Sequence, residues 1–310
     1  MDRNLPTPAF ELEVDAQAAG ERLDAFLAGR LPGLGRRGAR RIIESERVLV
    51  DGATSRKSRL LSGGEIVTLL DPPPQPDWNA RPDAGIPLKV LYEDRWLVAV
   101  EKPAGIPTVP LDPREEGTLA GALAARWPEC ASLGRSPGDS GLLQRLDTGT
   151  SGVVLAARTP GAFSALLDVQ RAGGLEKSYL ALVEGEPSSL PPLIDAPLAA
   201  SGEGGRRVRA DERGEPARTE LSIVDRRGRW LLVEAVIHRG IRHQIRAHLA
   251  AAGLPIAQDR LYGGPDAPDL KRPFLHAHRI RAADLPWGAD LDIECGLPAD
   301  LANVLRLLSD

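Results

Sequence analysis

Cysteine is almost absent from this chain, with only Cys130 and Cys295 in 310 residues. These two give neither a disulfide framework nor the spacing of metal ligands, which points to a reducing cytoplasm. Long apolar runs are missing too: no window approaches the roughly 18 residues of a membrane-spanning helix. The first residues, Met1 to Pro8, lack a basic stretch followed by an apolar run, so no signal peptide is expected. There is no Walker-type phosphate loop, no dinucleotide fingerprint and no Gly-x-Ser-x-Gly elbow. Positive charge is not in excess either, the net charge being −4. That argues against a uniformly basic coat for nucleic acid and leaves local patches as the question.

What the chain has is a sizeable apolar share, 42% of residues, enough to bury a core, and length for roughly two domains. Phe10, Leu12 and Val14 alternate as in a strand. Leu23, Phe26 and Leu27 share one face of a helix, and a second helix from about Arg36 to Ser45 turns Ala39, Ile42 and Ile43 inward. Val48 to Gly52 reads as a strand running into an Asp-Gly turn, and Ile66 to Leu69 as another strand. Between Gly20 and Leu60 ten basic residues face five acidic ones, a local +5 in a chain of −4. Arg36, Arg37, Arg40 and Arg41 place like charges at i,i+4, which is mildly unfavourable alone. Their helix either faces a polyanion or is an ordinary solvated face.

Residues 71–85 are proline-rich and read as an interdomain linker between a domain of residues 1–70 and one of residues 86–310. In the second domain strands outnumber helices without regular βαβ alternation, which predicts an α+β fold. Helices are expected after Thr118 as the cap, over 161–172, from His238 onward and near 301–308. Residues 201–218, Gly-rich and charged, are expected to form an exposed hairpin or loop.

The stretch Leu142 to Arg158 organises the chemistry. Arg145, Asp147, Thr148, Thr150 and Ser151 crowd between Gly141 and Gly152, and an apolar run follows that fits a buried strand. Asp147 is therefore a carboxylate at the lip of a core strand. It is either the Asp of a capped turn or a covalent nucleophile, which an Arg nearby would favour in its charged form. His238, His243 and His248 lie close in sequence, but at steps of five rather than four, with no Glu or Cys to complete a metal set. No metal and no cofactor are expected.

Two resemblances extend this reading. Arg22-Leu23-Asp24 with Phe26-Leu27, the Arg-rich helix, Val48 to Gly52 and Leu61 to Ile66 resemble the S4-type RNA-binding domain; Gly35 stands where that family usually has Ser or Thr. Gln144-Arg145-Leu146-Asp147-Thr148-Gly149-Thr150-Ser151-Gly152 is similar to the catalytic motif of RluA-type pseudouridine synthases. Glu101 to Gly105, Lys177 to Gly185, His243 to His248 running on to Asp259 through Gly263, and Arg272 to Ala277 match the same family in order. The resemblance implies a mixed, mainly antiparallel catalytic sheet with flanking helices. It implies isomerisation of uridine to pseudouridine in structured RNA, ribosomal more than transfer RNA, by a cytoplasmic protein expected to be a monomer.

The resemblance also implies roles. Asp147 would be the nucleophile, at the sugar C1′ or the base C6. Tyr179 would lie against the base and accept the C5 proton only if the site tuned its phenol, Leu275 would contact the base from below, and Arg145 would fill the stack when uridine flips out. Thr148, Gln244 and Arg246 would touch the substrate, and Arg36, Arg37, Arg40 and Arg41 would bind RNA phosphates. The family usually reads Gly-Arg-x-His-Gln, its Arg pairing with the catalytic Asp. Here Ile241 holds that place, and Arg242, one residue later, is expected to supply the pairing cation. Two further differences are Gln144, where His is usual, and Gln258, where Gly is usual. The competing reading is a non-catalytic RNA-binding or ribosome-assembly protein on the same fold, favoured only by the displaced Arg. A generic hydrolase would want a second acid/base carboxylate with a comparable motif, and none is seen.

Overall fold

The computed structural model describes residues 10–308 except 32–33, 72–77, 113–114, 203–206 and 289, and except the side chain of Arg37. The chain divides into two units, Met1–Asp77 and Trp78–Asp310.

The first unit comprises strands β1 (Phe10–Glu13), β2 (Val48–Val50), β3 (Ala53–Thr54) and β4 (Ile66–Leu69) with helices α1 (Leu23–Arg30) and α2 (Arg36–Glu44). Its antiparallel sheet runs β1-β4-β2-β3. Asp51 and Gly52 both take positive φ, 49° and 77°, the backbone that matches strand twist in a two-residue hairpin. Leu23, Phe26 and Leu27 from α1 pack with Ala39, Ile42 and Ile43 from α2 over Val48, Val50 and Val67. Full burial of each large side chain contributes about 1.5–3 kcal/mol before entropy is counted.

Asp24 is buried at the edge of this core, where a carboxylate needs partners. Arg22 donates to it from Nε and Nη2, and Arg40 from Nε at 2.8 Å. Arg40, expected as a phosphate ligand, is thus committed to Asp24. Arg36 and Arg41 are exposed, and the side chain of Arg37 lies outside the described residues.

The second unit is built on a nine-stranded sheet. Its strands and helices are β5 (Lys89–Glu93), β6 (Leu97–Lys102), α3 (Leu119–Arg126), β7 (Ser151–Ala157), α4 (Pro160–Arg171), β8 (Leu175–Glu184), β9 (Leu193–Asp195), β10 (Leu198–Ser201), β11 (Arg207–Ala210), β12 (Arg218–Arg227), β13 (Trp230–Ile237), α5 (Gln244–Ala251), β14 (Leu275–Ala282), β15 (Leu291–Glu294) and α6 (Ala299–Leu307). The order is β5-β6-β7-β14-β8-β13-β12-β9, with β15 beside β14, while β10 and β11 form a separate ribbon. Among the described residues all pairings of the large sheet are antiparallel except β7 with β14.

Every residue of β7 is buried, as its unbroken apolar run predicts for a strand covered on both faces. Gly152 makes its parallel neighbour possible. Its φ is +129°, and a Cβ there would stand 2.2 Å from the Ala277 carbonyl oxygen. Thr118 caps α3 by accepting the Gly121 amide, and Thr159 caps α4 in the same way. The helix expected from His238 begins only at Gln244, because His243 turns left-handed at φ 58°. Of the proline-rich stretch, 72–77 lie outside the described residues. Residues 78–85 lie along α3, with Ala80 buried and the Asp83 amide donating to the Gly121 carbonyl at 3.0 Å.

Candidate active site

Asp147 stands in the turn that leads into β7. The Thr150 amide donates to the Asp147 carbonyl at 2.9 Å and closes the turn, so backbone rather than carboxylate performs the capping. The turn is gripped from several elements. Lys102, buried at the end of β6, donates from Nζ to the carbonyls of Pro103 and Thr150 at 2.9 Å and of Thr148 at 3.4 Å. The Thr108 hydroxyl donates to the Leu146 carbonyl at 2.6 Å, and the Gly105 amide to that of Thr148 at 2.7 Å. Arg272 donates to the Gly149 carbonyl and to Ser151 Oγ. Ser151 Oγ also meets His276 Nδ1 at 2.9 Å, while His276 Nε2 lies 3.0 Å from the Cys295 carbonyl. A carbonyl only accepts, so Nε2 carries the proton and Nδ1 accepts from Ser151.

The partner of Asp147 comes from α5. Gln244 and His248, one turn apart, tie one side of α5 to β12. The Gln244 amide donates to the Arg218 carbonyl at 2.9 Å and to Thr219 Oγ1 at 3.2 Å, and His248 Nδ1 lies 2.8 Å from the same hydroxyl. Arg246, about 200° around the helix from Gln244, faces the turn. Its Nη1 donates to Asp147 Oδ2 at 2.6 Å, while Nε and Nη2 grip both oxygens of buried Asp259 at 2.7 and 2.8 Å. Its guanidinium carbon sits 5.1 Å from the Tyr262 ring centroid. Burial works against the charge of Arg246, but the two carboxylates outweigh it and hold its pKa raised. His243 Nε2 lies 3.7 Å from Asp147 Oδ2, and its Nδ1 3.1 Å from the Tyr262 hydroxyl. Burial holds His243 below the usual histidine range against the pull of Asp147.

Asp147 opens into a cleft walled by Tyr179, Ile237, Ile241 and Leu275, with Arg145 and Thr150 at its sides. The apolar walls and the carboxylate beside them suit a flat, partly polar ring. Burial, then the charge of Asp147, push the Tyr179 phenol above its ordinary value. The phenol therefore keeps its proton at neutral pH. Arg145 is exposed and donates to Asp139 Oδ1 at 2.6 Å.

The structure corrects the expected pairing. Arg242 precedes α5, and beyond it the left-handed backbone of His243 intervenes, so Arg242 and Arg246 do not share a helix face. Arg242 donates to the Arg207 carbonyl at 3.5 Å, and Arg246 fills the place at Asp147. Gln244, expected at the substrate, has its amide engaged by Arg218, Thr219 and the Ile241 amide. The Thr148 side chain is exposed, and the turn uses its carbonyl. Residue-by-residue reasoning missed Lys102, Asp259, Tyr262 and His276, although each lies in a stretch with a family match. Gln258, beside Asp259, takes φ 61°, which explains why glycine is usual there. Among the described residues no three of His, Cys, Asp and Glu gather as metal ligands would, and no helix is long and apolar enough to cross a membrane.

A mixed sheet carrying an Asp–Arg–Asp cluster at the mouth of an apolar cleft defines an enzyme-like site, and comparison with known proteins gives its class. Residues 96–251 match the family model of RNA pseudouridylate synthases. The chain belongs to that family, and it is an isomerase acting on RNA. It is 39% identical to an uncharacterised RNA pseudouridine synthase of Chloroflexus aurantiacus, over 94% of this chain and 90% of that one. It is 32% identical to the ribosomal large subunit pseudouridine synthase D of Nitrosomonas europaea, over 96% and 88%, and 32% identical to synthase C of Yersinia pestis, over 96% and 95%. The fold is shared with human RNA pseudouridylate synthase domain containing 4, at a TM-score of 0.56 and 22% identity over 71% of this chain and 92% of that one.

Proposed function

We propose that this protein converts specific uridines of large-subunit ribosomal RNA to pseudouridine in the cytoplasm, with Asp147 as nucleophile. The observation that carries the reading is the Arg246 guanidinium, fixed by Asp259 and presented to one oxygen of Asp147 at the mouth of the cleft. A uridine extruded from its stack enters the cleft against Tyr179 and Leu275, and Arg145 occupies the gap it leaves. Asp147 attacks C1′ or C6. The N1–C1′ bond breaks, the base turns and C5 bonds to C1′; the bond to Asp147 breaks and returns its carboxylate, C5 loses a proton and N1 gains one. Nothing is oxidised or reduced, so the sequence calls for no redox partner. The first unit is the S4-like module that grips the RNA, with Arg36 and Arg41 toward its phosphates; relatives named for the large ribosomal subunit support that target.

The non-catalytic alternative drew only on Ile241 standing where an Arg is usual, and Arg246 at Asp147 removes that support. The test is Asp147→Asn on an unmodified transcript of large-subunit ribosomal RNA, with pseudouridines read by carbodiimide adducts that stop reverse transcription. Parent protein should produce a discrete stop, and the variant should lose at least about a thousandfold in rate, as expected for a nucleophile. Undiminished activity of Asp147→Asn would sink the reading.

A further inference from the structure

Lys177 is a buried cation that the reaction above does not use. It stands on β8 two residues before Tyr179, so the two side chains share one face of the strand. Its cross-strand neighbour on β13 is Ile237, which lines the cleft. Lys177 is only 2% exposed, and among the described residues no protein group accepts a hydrogen bond from its ammonium. Buried charges in native proteins are almost always paired. The other buried lysine, Lys102, shows the contrast, with three carbonyls around its nitrogen.

Among the described residues no carboxylate pairs with Lys177. Its neighbours across β13 and β14 are Ile237 and Ile280. The charged group that bears on it is another cation, Arg135, from the segment that precedes the Asp147 turn. Burial first and Arg135 second lower the Lys177 ammonium to about 8, which leaves it largely protonated at neutral pH. Arg135 itself donates to the Leu143 carbonyl at 3.1 Å and to Gln170. The ammonium nitrogen itself is not among the sealed polar atoms and lies beside an exposed glycine. A Cβ at Gly240 would be 3.7 Å from Lys177 Nζ, and Gly240 is exposed. Gly240 lies between the cleft residues Ile237 and Ile241, and without a side chain it lets a ligand come close to the backbone. Arg239 beside it is exposed too.

We propose that Lys177, with Arg135 beside it, receives a backbone phosphate of the RNA strand as the target nucleotide is drawn into the cleft. A phosphodiester is the anion every RNA substrate carries, and a compact ammonium suits it. Two residues along a strand span about 6.7 Å, within the reach of one nucleotide from its phosphate at Lys177 to its base at Tyr179. The inference rests on the reading that the base enters the cleft at Asp147.

The test uses the full chain carrying Asp147→Asn, and an unmodified transcript of bacterial large-subunit ribosomal RNA as the probe. Adding Lys177→Met should weaken binding about tenfold at about 0.15 M salt. It should also make the dependence of log affinity on log salt shallower by about 0.7 to 0.9, one phosphate's share, and Lys177→Arg should regain most of the affinity. The RNA-free Lys177→Met protein should unfold at a higher temperature, because an unpartnered buried charge has gone. With Asp147 intact, Lys177→Met should raise KM, with kcat and its pH profile little changed. Unchanged affinity and salt slope would overturn the proposal. So would a lower unfolding temperature with no rescue by Lys177→Arg, which would mark a structural role, or a lower kcat with a displaced pH profile, which would mark a proton carrier. Failure of the nucleophile reading would show separately, as turnover by Asp147→Asn itself.

Discussion

Asp24 in the first unit and Asp147 in the second are both aspartates held by arginine. The Asp24 side chain is 0% exposed, and its two oxygens are taken by Arg22 and Arg40. The Asp147 side chain is 27% exposed and accepts from Arg246 at Oδ2 alone. In the first unit two arginines serve one carboxylate. In the second, one arginine is fixed by a further carboxylate, Asp259, which lies 1% exposed behind it, and among the described residues Asp147 Oδ1 takes no hydrogen bond from the protein. The same residue types therefore make a closed cluster in one place and an open one in the other. What separates them is how many of the carboxylate's lone pairs the protein itself satisfies.

The comparison breaks hardest at Arg246. Arg246→Met should leave Asp259 buried without its cation, at a cost of about 3–5 kcal/mol in stability, and should remove the donor at Asp147. Pseudouridine formation should fall by two to three orders of magnitude, about the loss seen when one preorganised donor is removed. Arg242→Met should lose little in the same carbodiimide assay. A large loss at Arg242 with little at Arg246 would mean that Arg242, and not Arg246, serves Asp147 during turnover.

Asp24 should respond in a different currency, stability without chemistry. Burial works to raise its carboxyl, but Arg22 and then Arg40 outweigh this and hold it at about 2. Its folded value is thus below the unfolded one near 3.9. The contribution is fully present above about pH 4, and it is lost as pH falls through about 2. Asp24→Asn should destabilise the first unit by about 2 kcal/mol at pH 7, with the deficit closing toward pH 2. All five tryptophans lie in the second unit, so amide hydrogen exchange should register the loss in α1 and α2 while the tryptophan fluorescence midpoint stays in place. A parallel shift of that midpoint would show that the Asp24 cluster is not confined to its own unit.

These two clusters also mark what a sequence can and cannot say. Local patterns were legible: the apolar run after Ser151 became β7, Thr118 became a cap, and the Asp51-Gly52 turn closed its hairpin. Motif order drew attention to the stretch holding Asp147. The partner of Asp147 was not legible, because it depends on where α5 begins. That point is set by the left-handed backbone of His243, which spacing alone does not reveal, and with an ordinary helix start Arg242 would have been a reasonable choice. Nor could composition tell that Arg40, in a basic helix, would turn toward an Asp 16 residues earlier. Pairings across the fold are decided by packing, which periodicity along the chain does not encode.

A smaller effect sharpens the contrast. The Asp24 cluster rests on ordinary backbone, with Arg22 at φ −73°. The Arg246 cluster is flanked by two left-handed residues, His243 at 58° and Gln258 at 61°. A side chain in that region costs about 1–2 kcal/mol, and strain of this kind gathers at sites where the surrounding structure imposes it. At Gln258 the side chain gives nothing back: its Oε1 is buried without a donor, and the bond that fixes the residue runs from its amide to the Pro265 carbonyl at 2.7 Å. Gln258→Gly keeps that bond and should raise the stability of the second unit by about 1 kcal/mol, the relief of strain less the added flexibility of glycine in the unfolded chain. Tryptophan fluorescence in a denaturant series would report it. At His243 the same exchange should bring no gain, because the imidazole contacts to Tyr262 are lost with the strain. Equal gains at both positions would mean that His243 contributes nothing to holding the cluster together.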